Sequence, residues 1–237
     1  MQTSMVFNQR KWPGAGDVDD CWVVSAIQAM HVTAPWLRLV GVKEFRKAAG
    51  RPDVQGEANG GQLRHVKLGC EGVFPQWYRA ADGPRIRVVA GGTWDQLKDD
   101  ALEHRPLSVA VVSAKLPARL QFGFGGYHQI TVVAKASGRW LVANPLAPAY
   151  SRWVEVNPSE LRPAVVAYGR DKSGRPGAWY VRFPTDEEMA ARYHAVDDDT
   201  PFDQDDIDAA TAALAADNAE LQGRIDSAID VLDGAEL

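Results

Sequence analysis

From residue 107 onward the chain is a series of short apolar segments cut by turn residues, and this order narrows the folds open to it. Residues 107–112 are apolar and mostly β-branched, the composition of a buried strand. Residues 127–134 and 139–143 flank Lys135-Ala136-Ser137-Gly138, which predicts a hairpin. Residues 151–156 alternate through Trp153 and Glu155, and residues 179–183 read as a further strand. Helix-patterned segments lie mainly upstream. Residues 17–29 carry an apolar stripe of Val23, Val24, Ile27 and then Met30, with Asp17, Asp19 and Asp20 as caps or first-turn acids. Residues 42–49 read as a short helix closed by Gly50 and Pro52, and Thr93 as the cap of a helix reaching about His104. Residues 50–61, rich in glycine, and Leu68-Gly69-Cys70-Glu71-Gly72 read as loops. Helices first and strands second, with little βαβ alternation, predict an α+β fold with an antiparallel sheet.

The last forty residues have another pattern. From Asp197 to Leu237 there are 13 acidic residues and one basic residue, Arg224, so the body before them is basic although the whole chain carries −5. Residues 197–204 read as an acidic linker. Beyond it, Ile207, Thr211, Leu214, Asn218, Leu221, Ile225, Ala228 and Leu232 fall alternately four and three apart, a heptad seam. The expected organisation is therefore a body of residues 1–196, a linker, and a helix over 205–237 that self-associates or docks on a helical partner. A lone amphipathic helix is the simpler alternative.

Other classes are excluded by what is missing. No apolar run is long enough for a membrane span. Met1 to Pro13 lacks the basic-then-apolar order of a secretory signal, so bacterial cytoplasm or a phage virion is the expected location. The net charge argues against nucleic acid as a partner. Two cysteines and five scattered histidines offer no metal spacing, and Phe122-Gly123-Phe124-Gly125-Gly126 lacks the lysine and helix of a phosphate loop. No metal and no cofactor are expected.

The chemistry-bearing residues are Cys21, His128 and Asn144. Cys21 sits at a predicted helix N-terminus, where the helix field favours a thiolate. His128 begins a strand after three glycines, and Asn144 ends the next strand across the hairpin. Neighbouring antiparallel strands bring imidazole and amide to one edge, as a Cys–His–Asn triad requires. Cys70 has no such setting and reads as structural.

Three motifs carry a resemblance. Asp20-Cys21-Trp22-Val23-Val24-Ser25-Ala26 resembles the nucleophile helix of papain-like cysteine peptidases. Gly126-Tyr127-His128-Gln129-Ile130-Thr131-Val132-Val133 resembles their histidine strand, and Trp140-Leu141-Val142-Ala143-Asn144-Pro145 their asparagine strand. Residues 93–110, with an Arg105-Pro106 turn between helix and strand, are similar to the compact bacterial branch that includes bacteriocin-leader peptidases and phage and cell-wall relatives. The resemblance spans roughly residues 9–156. It implies a papain-like fold, with Cys21 as nucleophile, His128 as general base then acid, and Asn144 as the group that orients the ring. Two departures stand out. Position 15, where the family's oxyanion glutamine is expected, is alanine, which leaves Gln9 as the candidate. Asp19 and Asp20 stand beside the nucleophile, and negative charge there opposes a thiolate. Trp22, Gly125, Gly126 and Tyr127 are candidate cleft residues.

The expected function is a cysteine peptidase or amide hydrolase acting on a protein or a peptidoglycan peptide. The abundance of Ala, Gly, Asp and Arg points to a GC-rich genome, and with the basic body this suits a phage tail enzyme at an anionic cell wall. The alternatives are an inactive papain-like structural or adaptor component of a tail, and acyl transfer by the same triad.

Overall fold

Turn residues and caps decide where the elements of this chain begin and end. The computed structural model describes residues 20–50, 61–79, 85–103, 106–123, 125–148 and 151–197. Gln9, Asp17, Asp19, most of the expected linker and the heptad segment 205–237 lie outside them. The chain divides into two compact units, residues 1–192 and 193–237. Among the described residues, the first unit holds the sheet and all but the end of the last helix.

The helical part comprises α1 (Cys21–Thr33), α2 (Val42–Ala48), α3 (Gly61–Val73) and α4 (Pro75–Tyr78). α1 is buried almost all round, with eleven of its thirteen residues inside. The expected cap is corrected here: Asp20 holds the N-cap position of α1 but makes no side-chain cap bond. α2 ends as expected, with Gly50 in the left-handed region at φ +73°.

α3 contradicts the loop expected around Cys70. Gly69 and Gly72 are not turn residues but contact points between helices. A Cβ on Gly69 would fall 2.2 Å from Phe45 Cε1, and one on Gly72 would fall 2.9 Å from Ala48 Cβ. Glycine is required there because α2 lies directly against α3.

The sheet part comes next: β1 (Arg87–Gly92), α5 (Trp94–Leu102), β2 (Leu107–Val112), β3 (Tyr127–Ala134), β4 (Trp140–Ala143), β5 (Val154–Val156), α6 (Pro158–Val166), β6 (Gly169–Arg170), β7 (Pro176–Arg182) and α7 (Asp186–Asp197). Thr93 caps α5 as expected, accepting from Gln96 N at 3.0 Å. The hairpin between β3 and β4 closes with Lys135 N on Arg139 O at 2.8 Å and Gly138 at φ +76°. Two helices missing from the strand pattern have legible caps. Asn157 N donates to Glu160 Oε2 at 2.7 Å, and Thr185 and Glu188 cap one another's backbone N–H groups at 2.8 and 3.0 Å. The last of these starts α7, which carries helix through Val196 and Asp197, where a linker is expected to begin.

Every paired strand is antiparallel, and the order across the sheet is β1-β7-β2-β3-β4-β5, with β6 beside β7. The mixed helix and antiparallel sheet agrees with the expected fold class. β2 and β3 are central and almost wholly buried. Ile130 and Val132 pack with Leu97 of α5 and with Leu161 and Val165 of α6. Each such buried side chain contributes about 1.5–3 kcal/mol. Alternation turns Gln129 and Thr131 to the other face, where α1 lies. Among the described residues no helix is long and apolar enough to cross a membrane.

Candidate active site

A polar network fixes how α1 lies on the sheet. Ser25, one turn after Cys21, places its Oγ 2.7 Å from Ser108 Oγ and 3.0 Å from Thr131 Oγ1. Thr131 Oγ1 also donates to Ser25 O at 2.9 Å, and Gln129 Nε2 donates to Ser108 Oγ at 2.7 Å. All four residues are buried. An unmet polar group at such a site costs about 1–3 kcal/mol, so the network holds the helix to one depth on β2 and β3. Its sequence signal is a serine, a glutamine and a threonine inside runs otherwise apolar, a signal that the strand pattern passes over.

His128 and Asn144 meet. Thr131 pairs with Ala143, so Asn144, just past β4, stands on the His128 side of that pair. His128 Nε2 lies 2.8 Å from Asn144 Oδ1. The amide's orientation is set by its other contacts. Asn144 Nδ2 donates to Leu120 O at 2.9 Å, and Leu146 N donates to Asn144 Oδ1 at 2.8 Å. A carbonyl accepts only and an N–H donates only, so the amide has one consistent orientation. Oδ1 therefore faces the ring, Nε2 carries the proton, and Nδ1 is the basic nitrogen. An aspartate at 144 would set a second acceptor against the Leu120 carbonyl, which is why this position suits asparagine.

Burial pushes His128 down from 6.5 to about 4, with the bond to Asn144 acting in the opposite direction. At neutral pH the ring is uncharged, the form that accepts a proton.

Cys21 is the first residue of α1 and is buried. Of the two acidic neighbours that oppose a thiolate, Asp20 is paired in the fold and Asp19 lies outside the described residues. Asp20, 1% exposed, forms an ion pair with Arg46 of α2, whose side chain is 12% exposed. Sequence reasoning missed Arg46, because nothing local links a basic residue at 46 to an acid at 20. Cys70 is fully buried in α3, and burial pushes its thiol well up, a setting that makes it inert.

The remaining candidates separate. Trp22 is buried, its ring 5.9 Å from that of Phe45 and 6.4 Å from that of His65, so it lies in the packing between helices. Gly125 and Gly126 are exposed, and Gly126 O accepts from Ser113 N at 2.9 Å. Tyr127 is half exposed and packs edge-on to Tyr168, with ring centres 5.2 Å apart. Gln9 lies outside the described residues.

No known family model matches the sequence, and no curated protein does. Among solved structures the chain is similar to a protein assigned as a C39-like peptidase from Bacillus anthracis. The identity is 11%, the TM-score 0.49, and the match covers 77% of this chain and 96% of that one. A likeness this distant carries no argument about the chemistry.

Proposed function

We propose that the chain is a cysteine peptidase that cleaves amide bonds of a protein or peptidoglycan peptide through Cys21, His128 and Asn144. The observation that carries this reading is the oriented bond from His128 Nε2 to Asn144 Oδ1, which directs the basic nitrogen away from its orienter. In the reaction Cys21 Sγ gives its proton to His128 Nδ1 and attacks the scissile carbonyl carbon. The backbone N–H of Cys21 serves the developing oxyanion, with Gln9 as the second donor. Collapse expels the amine, which takes the proton from His128, and leaves a thioester that water hydrolyses with His128 again as base. The Asp20–Arg46 pair supports the reading by offsetting one of the two charges that oppose the thiolate.

Beyond the chemistry, the basic body favours a substrate or surface of opposite charge, and the heptad segment 205–237 favours attachment to a helical partner or a second copy. A phage tail enzyme acting on the cell wall combines both.

A second reading, a structural tail component with an inert site, has one observation in its favour: Cys21 and His128 are 6% and 3% exposed. Alkylation by iodoacetamide near pH 7 separates the two. The peptidase reading expects Cys21 to label and Cys70 not to, with His128→Ala slowing the reaction on the order of a hundredfold. Equal, slow labelling of both cysteines that ignores His128→Ala leaves only the scaffold.

A further inference from the structure

Beside the first residue of β3 an open groove of about 580 Å³ runs between that strand and the segment after α6. Its walls include Lys115, Tyr127, Tyr168, Arg170, Val166 and Pro176. Tyr127 immediately precedes His128 in β3, so the groove begins one residue along the backbone from the proposed general base. Its aromatic wall is braced. The Tyr168 ring packs on Tyr127 at 5.2 Å and on Trp179 at 6.3 Å, and Trp179 Nε1 donates to Arg170 O at 3.0 Å. A Cβ on Gly169 would fall 2.4 Å from Trp179 Nε1, so glycine is needed for the indole to lie across that strand.

The charge in the groove has one sign. Lys115 and Arg170 are both exposed, neither is in an ion pair among the described residues, and no lining side chain is acidic. The nearest acid in the chain, Asp171, is turned into its own loop, where Oδ1 accepts from Ser173 N, Ser173 Oγ and Arg175 N at 2.8, 2.8 and 2.9 Å. Two cations on an apolar, aromatic floor suit a carboxylate side chain of an extended peptide: the head pairs with the cations and the stem lies on the rings.

We infer that this groove is the arm of the substrate cleft on the β3 side and that it selects peptides carrying acidic side chains, an inference that rests on the peptidase reading. The experiment uses the full chain with Cys21→Ala, so that peptide is bound and not consumed. The probes are a blocked heptapeptide containing two glutamates and its glutamine twin, titrated by calorimetry at low salt. The acidic peptide binds on the order of tenfold tighter than its twin. That preference disappears in Lys115→Gln/Arg170→Gln and shrinks as salt is raised. Both side chains are exposed, and an unchanged melting temperature certifies the folded variant. Equal affinity for the two peptides, a preference that survives the double substitution, or no binding at millimolar peptide overturns the inference. Iodoacetamide labelling of Cys21 in the Lys115→Gln/Arg170→Gln protein reads the nucleophile separately, so a failed groove and a failed peptidase give different results.

Discussion

Arg46→Met tests the electrostatics around the nucleophile. The substitution keeps a long apolar stem at this position of α2 and removes the guanidinium, which takes the Arg46 cation from an Asp20 carboxylate that is 1% exposed. Breaking a buried ion pair from one side costs about 3–5 kcal/mol, because the desolvation of the surviving charge is no longer offset. A unit of this length shifts its melting temperature by about 2–4 °C per kcal/mol, so the expected drop is roughly 6–20 °C. Asp20→Asn in the same background removes the charge with little change in shape, and the double variant regains most of the loss. Calorimetry of the single and double variants measures both. Thiol reactivity gives an independent readout. In the single variant the Asp20 carboxylate, having lost Arg46, disfavours the thiolate of Cys21 more strongly, so alkylation slows near neutral pH, and the double variant recovers its rate. A single variant melting within about 2 °C of the parent, or a double variant no better than the single, refutes the reasoning; a 2 °C shift is roughly 1 kcal/mol or less, the range of a surface pair.

Two more outcomes rest on the same physics. Because His128 titrates near 4 in the fold and near 6.5 when unfolded, stability is full above pH 6.5 and is lost as pH falls toward 4, by about 3 kcal/mol in all. Urea unfolding at pH 7 and pH 4 shows this loss in the parent and a flatter dependence in His128→Gln; parallel behaviour of the two contradicts it. Deleting residues 203–237 lowers the number of copies per particle, measured by analytical ultracentrifugation, or abolishes binding to a helical partner, while the body keeps its melting temperature; an unchanged number of copies together with unchanged partner binding removes the coiled-coil proposal.

How much of the fold was legible in the sequence depends on the range of each signal. The runs at 107–112 and 127–134 became strands with those bounds, since apolarity, β-branching and flanking turn residues act within a few residues. Thr93 and Gly138 did what their local chemistry allows. Gly69 and Gly72 misled, because the same absence of a side chain serves a turn or a close helix contact, and only the position of Phe45 and Ala48 tells which. The capping pairs Asn157–Glu160 and Thr185–Glu188 are written in the sequence, but each begins a helix between or after strand-patterned segments, where the period-2 signal masks it.

The amino-acid order by itself determined the class of fold, the hairpin that brings residue 128 beside residue 144, and the residue types available for chemistry. Only the tertiary structure decided which way the Asn144 amide points, because that depends on a carbonyl at residue 120, and that Asp20 is neutralised, because its cation comes from another helix. Local propensity acts through neighbours in the chain, whereas tautomers and buried charges are settled by whatever the fold brings within hydrogen-bonding distance.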